Sequence, residues 1–552
     1  MGVVILKLDR HGVCCPYKSV SACGFYLTSL LILLAFTGCA AGPDFKRPSA
    51  PAASGYAPGN PVPKATSSAP VPDGESQRFN PAADIPFDWW TLFQSPQLNT
   101  LVLRAFKANP SIESAQAALR QAQEYVTAQQ GFFYPTVGAS YTPSRNKLAG
   151  NMGGNSPGVQ GNGSVIQTYS NPAGPAPFNG PAYYNFHVAQ LTVGYVPDVF
   201  GLNRRQVESA QAQMNAQKLQ LEATYITLAS NVVAAAIQEA SLRAQLAAME
   251  KIIDSNRETL VILRNQLKLG YVSGMEVAAQ ESALAFAEQS AIPLRKQLEQ
   301  TRDLIRALAG NFPDQDVEEK FELAGLHLPQ ELPLSLPSKL VEQRPDVRAA
   351  EEQLHFASAQ AGVAIANTLP QFAITAAVGG MASNPAWMFR SGGGFFDLTA
   401  NAAYTIFDGG TLRAQSRAAQ QALIQAGAEY RSTVITALQN VADTLHIIQS
   451  DADALKAADA SEQAARTEVV LTRKQYDVGY VNYQTLLAAE QNHQFAVINL
   501  VQAQTNRLGD TAALYQALGG GWWNHAAATG LNDADKTLAV HSTGAANGKV
   551  AQ

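Results

Sequence analysis

Most of this chain is written twice, and a duplicated plan restricts the possible folds before any single residue is weighed. Arg264 to Val272 (RNQLKLGYV) returns as Arg473 to Val481 (RKQYDVGYV), 209 residues later. Tyr195, Gly201 and Arg204 return at that same spacing as Tyr404, Gly410 and Arg413. Asn109-Pro110 and Tyr134-Pro135 have counterparts in Arg344-Pro345 and Leu369-Pro370, at a spacing of 235. The spacing changes once, by 26 residues, between Pro135 and Tyr195. That interval holds Pro143 to Pro181, rich in Gly, Asn and Pro, which reads as a long loop confined to the first copy.

Each copy carries the same order of elements. Leu98, Leu101, Ala105, Ile112 and Leu119 mark a helix from Pro96 to Gln130, ended by Gly131 and Pro135. Four segments read as strands: Thr136 to Thr142 and Tyr184 to Val196 in the first copy, Gln371 to Val378 and Phe395 to Phe407 in the second. Their lengths are near the roughly 9–11 residues of a tilted membrane strand, and their weak alternation is what outer-membrane strands show. A helix follows each pair, Leu202 to Leu269 and Leu412 to Val478. The first contains neither Pro nor Gly and spans roughly 100 Å at about 1.5 Å per residue. Met214, Leu221, Leu228, Ala235, Leu242 and Met249 recur every seven residues, beside a second row at Tyr225, Val232, Glu239, Leu246 and Ile253. Two such rows make a coiled-coil seam, so these helices need partners along their length. Gly270 and Gly479 then permit tight reversals into returning helices, Met275 to Ala309 and Gln484 to Leu518. Pro293 is expected to kink or split the first of these.

Bulk properties remove several function classes. A net charge of -5 without a basic stripe excludes nucleic acid as a partner. All four cysteines, Cys14, Cys15, Cys23 and Cys39, fall in the first 39 residues, so the remainder has neither disulfide nor cysteine metal site. His187, His327, His355, His446, His493, His525 and His541 are scattered singly. No nucleophile–base spacing or phosphate-binding loop occurs, so no catalytic residue, cofactor or metal is assigned and the chain does not read as an enzyme. Trp89, Trp90 and Phe93 read as packing.

At the N-terminus, Lys7, Arg10 and Lys18 precede an apolar run from Gly24 to Phe36, too short to span a bilayer and arranged as a secretory signal. It closes Ala35-Phe36-Thr37-Gly38-Cys39, which resembles a bacterial lipobox. That resemblance implies cleavage after Gly38, acylation of Cys39 and, with Ala40 next, export to the outer membrane. The expected organisation is a signal peptide at 1–38, an acylated start and Pro/Ala/Ser-rich linker at 39–84, a first repeat at 85–310, a connector at 311–337, a second repeat at 338–523 and a disordered tail at 524–552.

Gly42-Pro43-Asp44-Phe45, Trp89-Trp90, Asp198-Val-Phe200-Gly201 with Arg204, Phe407-Asp408-Gly409-Gly410 with Arg413, and Gln343-Arg344-Pro345-Asp346-Val347 stand in one order. Together they resemble the TolC-like outer membrane factors, in particular their lipoprotein branch, from Cys39 to Trp523. The resemblance implies a mainly α mixed fold and a homotrimer: four strands per chain in a twelve-stranded outer-membrane β-barrel, continuous with a periplasmic coiled-coil barrel. It implies passive conduction of drugs or other toxic compounds, delivered by a proton-driven inner-membrane pump and a periplasmic adaptor. The adaptor would meet the turns at Leu269, Gly270, Tyr271, Val478, Gly479 and Tyr480. Family members often close this tip with a ring of Asp; here Thr485 and Ala488 stand where carboxylates are expected, leaving Glu276, Asp477 and Glu490 as gate candidates. The exit duct of a type I protein secretion system is the near alternative. A structural coiled-coil envelope lipoprotein is the distant one, and it leaves the four strands unexplained.

Overall fold

The computed structural model describes residues 40–49, 55–56, 64–81, 83–147, 158–159, 165–166 and 183–524. The signal segment, Cys39, most of the first-copy insertion and the tail beyond Asn524 lie outside the described residues. The chain divides into two compact units. One comprises Val126–Ser209 and Ala357–Gln421 with the N-terminal residues up to Phe45; the other comprises Lys46–Tyr125, Ala210–Phe356 and the chain from Ala422 onward.

The first unit is built on a four-stranded antiparallel sheet of β2 (Thr136–Lys147), β3 (Tyr183–Tyr195), β5 (Gln371–Ala382) and β6 (Gly394–Ala403), paired in that order. β1 (Arg78–Asn80) and β4 (Glu331–Pro333) belong to the second unit. Thr136 faces Gly194, Tyr195 faces Ile374, and Gln371 faces Ala403. The strand ends that lead to helices therefore share one end of the sheet. β2 and β5 extend beyond the sequence expectation, because pairing across strands carries them past their own apolar residues. Pro143 falls inside β2 opposite His187, in an edge strand where a missing N–H is tolerated.

The helices are α1 (Pro96–Ala108), α2 (Pro110–Gln130), α3 (Leu202–Lys268), α4 (Gly274–Leu308), α5 (Pro337–Gln343), α6 (Pro345–Ala366), α7 (Thr411–Asp477) and α8 (Tyr483–Ala517). α3 and α7 each have 67 residues, and α4 and α8 each have 35. The single helix expected over Pro96 to Gln130 is two. Asn109 (φ -74, ψ 124) leaves the helical region before Pro110, as the proline ring demands of its predecessor. Arg344 (φ -71, ψ 126) does the same before Pro345. Pro293, by contrast, is accommodated inside α4, which is not split.

The main core of the second unit is aromatic at one end. Trp89, Trp90 and Phe93 are fully buried, and Trp89 stacks on Tyr515 at 5.3 Å. Along α7 the buried residues Tyr430, Val434, Ala437, Val441, Thr444 and Ile448 alternate steps of four and three, the coiled-coil spacing.

Residues 64–80, expected as plain linker, are instead fastened to this unit. Arg507, 1% exposed, donates to the carbonyls of Asp73 (3.1 Å) and Glu75 and to Thr66 Oγ1 (3.2 Å). Gln77 Nε2 donates to Pro329 O and Thr511 Oγ1, each at 3.0 Å. β1 (Arg78–Asn80) pairs in parallel with β4 (Glu331–Pro333) in the connector. A buried guanidinium satisfies backbone carbonyls that would otherwise need water. Asn524 is likewise held, donating to Asp84 Oδ2 (3.1 Å) and Ile85 O (2.8 Å).

Candidate functional site

The register of the sheet sorts its side chains by chemistry. Val137, Ala139, Tyr141, Leu191, Val193, Val378, Phe396 and Leu398 share one face, because directly opposed residues in antiparallel strands point the same way. Toward the strand ends far from the helices this face turns polar, beginning at His187, whose Nδ1 is 2.9 Å from the Tyr141 hydroxyl. Thr136, Ser140, Thr142, Gln190, Thr192, Asp397 and Thr399 share the other face, joined toward the far end by Phe186, Met381 and Phe395. On the apolar face Leu191 is 51% exposed and Phe396 85%. A large apolar side chain left in water forgoes about 1.5–3 kcal/mol. Such a face over four strands is suited to hydrocarbon rather than to water. Among the described residues no helix is long and apolar enough to cross a membrane.

At the helical turns, Gly270 (φ 76) and Gly479 (φ 79) take the left-handed conformation. Gly270 N donates to Leu267 O and Tyr271 N to Gln266 O; Gly479 N and Tyr480 N repeat the pattern to Tyr476 O and Gln475 O. Both turns are therefore Schellman caps. Leu269, Tyr271, Val478 and Tyr480 are exposed, Tyr480 at 85%, so the turns present apolar side chains that cap geometry does not require. A Cβ added at either glycine would meet nothing within 4 Å.

The gate candidates divide. Glu276 caps α4, its carboxylate accepting from Ser273 N at 2.7 Å. Thr485 is engaged with Asn482, which accepts from its N–H at 3.0 Å and its hydroxyl at 2.9 Å. Glu490 pairs with Arg473 across the second hairpin. Arg264 and Glu281 pair at 2.8 Å across the first, and both residues stand 209 before that second pair. Asp477 and Ala488 are exposed. Ala488 lines an α4/α8 groove of about 580 Å³ with Phe286 and Phe495.

Sequence reasoning missed one link at this level. The Tyr483 hydroxyl donates to Gln280 Oε1, and Gln280 Nε2 donates to Asn256 O (2.9 Å) and Oδ1 (3.0 Å). All three residues are buried, and the chain of bonds runs from α8 through α4 to α3. The residues lie far apart in sequence and lack counterparts in the other copy, so the repeat carried no signal of them.

Cys39 lies outside the described residues, but the segment after it is firmly seated on the first unit. Ala41 N donates to Phe200 O at 2.9 Å. The buried Arg205 donates to Ala41 O (3.1 Å), Gly42 O (3.4 Å) and Asp44 Oδ1 (2.7 Å). A Cβ on Gly42 would stand 2.4 Å from Gly362 Cα, and one on Gly201 2.6 Å from Ala40 Cβ. Between β6 and α7, Asp408 accepts from Gly410 N (2.8 Å) and Leu412 N (2.7 Å), and the Leu412 bond is first in holding its carboxyl below the usual range.

A sheet with one apolar and one polar face, carrying paired long helices, fits an outer-membrane protein, and the chain belongs to the outer membrane efflux protein family, which matches residues 101–311 and 336–520. Its relatives place it more closely. It is 27% identical over 442 residues to the pyoverdine export outer membrane protein OpmQ of Pseudomonas aeruginosa, covering 79% of this chain and 87% of that protein. It is 26% identical over 503 residues to the probable efflux pump outer membrane protein TtgC of Pseudomonas putida, covering 90% and 96%. Its fold is similar to the CmeC outer membrane channel of Campylobacter jejuni, with a TM-score of 0.73 and 20% identity over 88% of this chain and 95% of that one.

Proposed function

We propose that this chain is one third of a closed outer-membrane tube that passively passes drugs or other small toxic compounds out of the cell. The observation that carries this is the sheet: four strands, two faces of opposite chemistry, and edges at β2 and β6. An open edge in hydrocarbon leaves N–H and C=O groups unpaired, at several kcal/mol each. Pairing β6 of one copy with β2 of the next removes every edge, and three copies give twelve strands with the apolar faces turned to lipid. The equal lengths of α3 and α7, and of α4 and α8, support two repeats, 85–310 and 338–523, contributing equivalent helical hairpins to the tube's second wall.

In this reading the exposed turns at Leu269, Gly270, Tyr271, Val478, Gly479 and Tyr480 receive a periplasmic adaptor, which links the tube to a proton-driven inner-membrane pump. Glu276 and Thr485 belong to helix caps, so closure of the tip falls to Asp477, Ala488, Glu490 and the Tyr483 link. Cys39 carries the lipid anchor, and Arg205 seats the residues behind it. Deleting the gene is expected to raise drug accumulation in energised cells several-fold, with restoration by the wild-type chain. Unchanged accumulation together with loss of a secreted polypeptide would favour protein export instead.

A further inference from the structure

We propose that the rim of the sheet farthest from the helices binds a phosphate-bearing lipid of the outer leaflet, with its headgroup on Arg145, Lys147 and Arg390 and an acyl chain in the groove beneath. This rests on the barrel reading above, since only in a membrane wall does that face meet lipid.

Within residues 132–199 and 367–410 the only lysines and arginines are Arg145, Lys147 and Arg390. Arg145 and Lys147 continue the alternation of Val137, Ala139, Tyr141 and Pro143, so they belong to the apolar face, and both are exposed. Arg145 lies opposite Asn185, one same-face step beyond the Pro143–His187 pair. Arg390 is exposed in the β5–β6 loop at that same end. The acidic residues of these stretches are elsewhere: Asp397 is on the polar face, and Asp198 and Asp408 sit where the helices join.

Directly below the rim is a groove of about 590 Å³ lined by Ala139, Tyr141, Ala189, Leu191, Val378 and Phe389. Phe389 immediately precedes Arg390, so one loop supplies both an apolar wall and a cation. The loop lies close against the sheet: a Cβ on Gly380 would come within 2.3 Å of Met388 O, and one on Gly393 within 2.4 Å. The stacked Tyr141 and His187 rings separate groove from cations. An apolar slot capped by a polar aromatic pair and then by guanidinium and ammonium groups matches an amphiphile with an anionic head. Arginine binds phosphate oxygens through paired N–H donors, and basic residues at a membrane boundary hold anionic headgroups. Cations at a strand end are tolerated near the interface, whereas at mid-membrane they are strongly disfavoured.

The test uses purified, delipidated full-length protein and native mass spectrometry. It is titrated with diphosphorylated lipid A and with the same lipid dephosphorylated. The wild-type protein is expected to prefer the diphosphorylated form by about tenfold or more, and R145A/K147A to lose most of that preference. R145K/K147R is expected to keep it, and R390A to lose part of it. Bilayer conductance of all variants is expected to match the wild type. Equal binding of both lipids by the wild type, or an unchanged preference in R145A/K147A, overturns the proposal while normal conductance leaves the barrel standing. Absence of wild-type conductance overturns both.

Discussion

Gly479 separates two roles that its position combines. Its left-handed φ makes any β-branched substitute strained by about 1–2 kcal/mol, but asparagine tolerates that conformation. Gly479→Asn therefore preserves the Schellman cap and adds a side chain into open space. Docking at this turn predicts normal trimer levels in membranes with drug resistance abolished; normal resistance would reduce the glycine to its capping role. A second residue-scale prediction concerns Asp451 on α7, whose pKa is pushed up to about 7, first by burial and then by the hydrogen bond and charge of Asp510 on α8, against a smaller opposing pull from Arg507. Because the folded pKa lies above the unfolded one, the contribution is full below about pH 4 and disappears as pH rises through about 7. Melting temperature is expected to fall between pH 5 and pH 8, and Asp451→Asn to flatten that slope. An identical slope in the variant would assign it to other groups. Neither Asp451 nor Arg507 was legible in the sequence. Arg507 holds a segment 434 residues away at Asp73, and no local pattern announces such a partner.

At the scale of elements, the helices were the legible part. The boundaries expected for all four long helices agree with the structure within one residue, because Gly270 and Gly479 and the capping residues Ser273 and Asn482 are local signals. The break at Asn109 was missed although Pro110 had been noticed as a repeated position. Helical periodicity continues across it and concealed the turn. β2 and β5 were shorter in expectation than in fact, β3 was displaced by one residue, and β6 ends at Ala403 rather than at the expected Phe407, since pairing with a neighbour fixes strand ends. The tip shows the same limit. Its glycines were visible, whereas the bonds from Tyr483 through Gln280 to Asn256 were not. Tyr483→Phe removes the hydroxyl and leaves Gln280 Oε1 buried without its donor, at about 1–3 kcal/mol. The variant is expected to melt earlier and to conduct more ions at rest in planar bilayers. Unchanged conductance with lowered stability would make the link structural only.

On the scale of the whole molecule, one chain is incomplete by its own physics. It has an apolar sheet face too large for water and two strand edges unsuited to lipid, and the proposed threefold symmetry would resolve both at once. The duplication that opens the sequence bears on this, because two equivalent hairpins per chain would give the proposed trimer six equivalent staves. The most direct measurement is the mass of the purified full-length protein in detergent, taken together with its single-channel conductance in a planar bilayer. The account predicts particles of three chains that form ion-conducting pores. Monodisperse single chains that conduct nothing would contradict it.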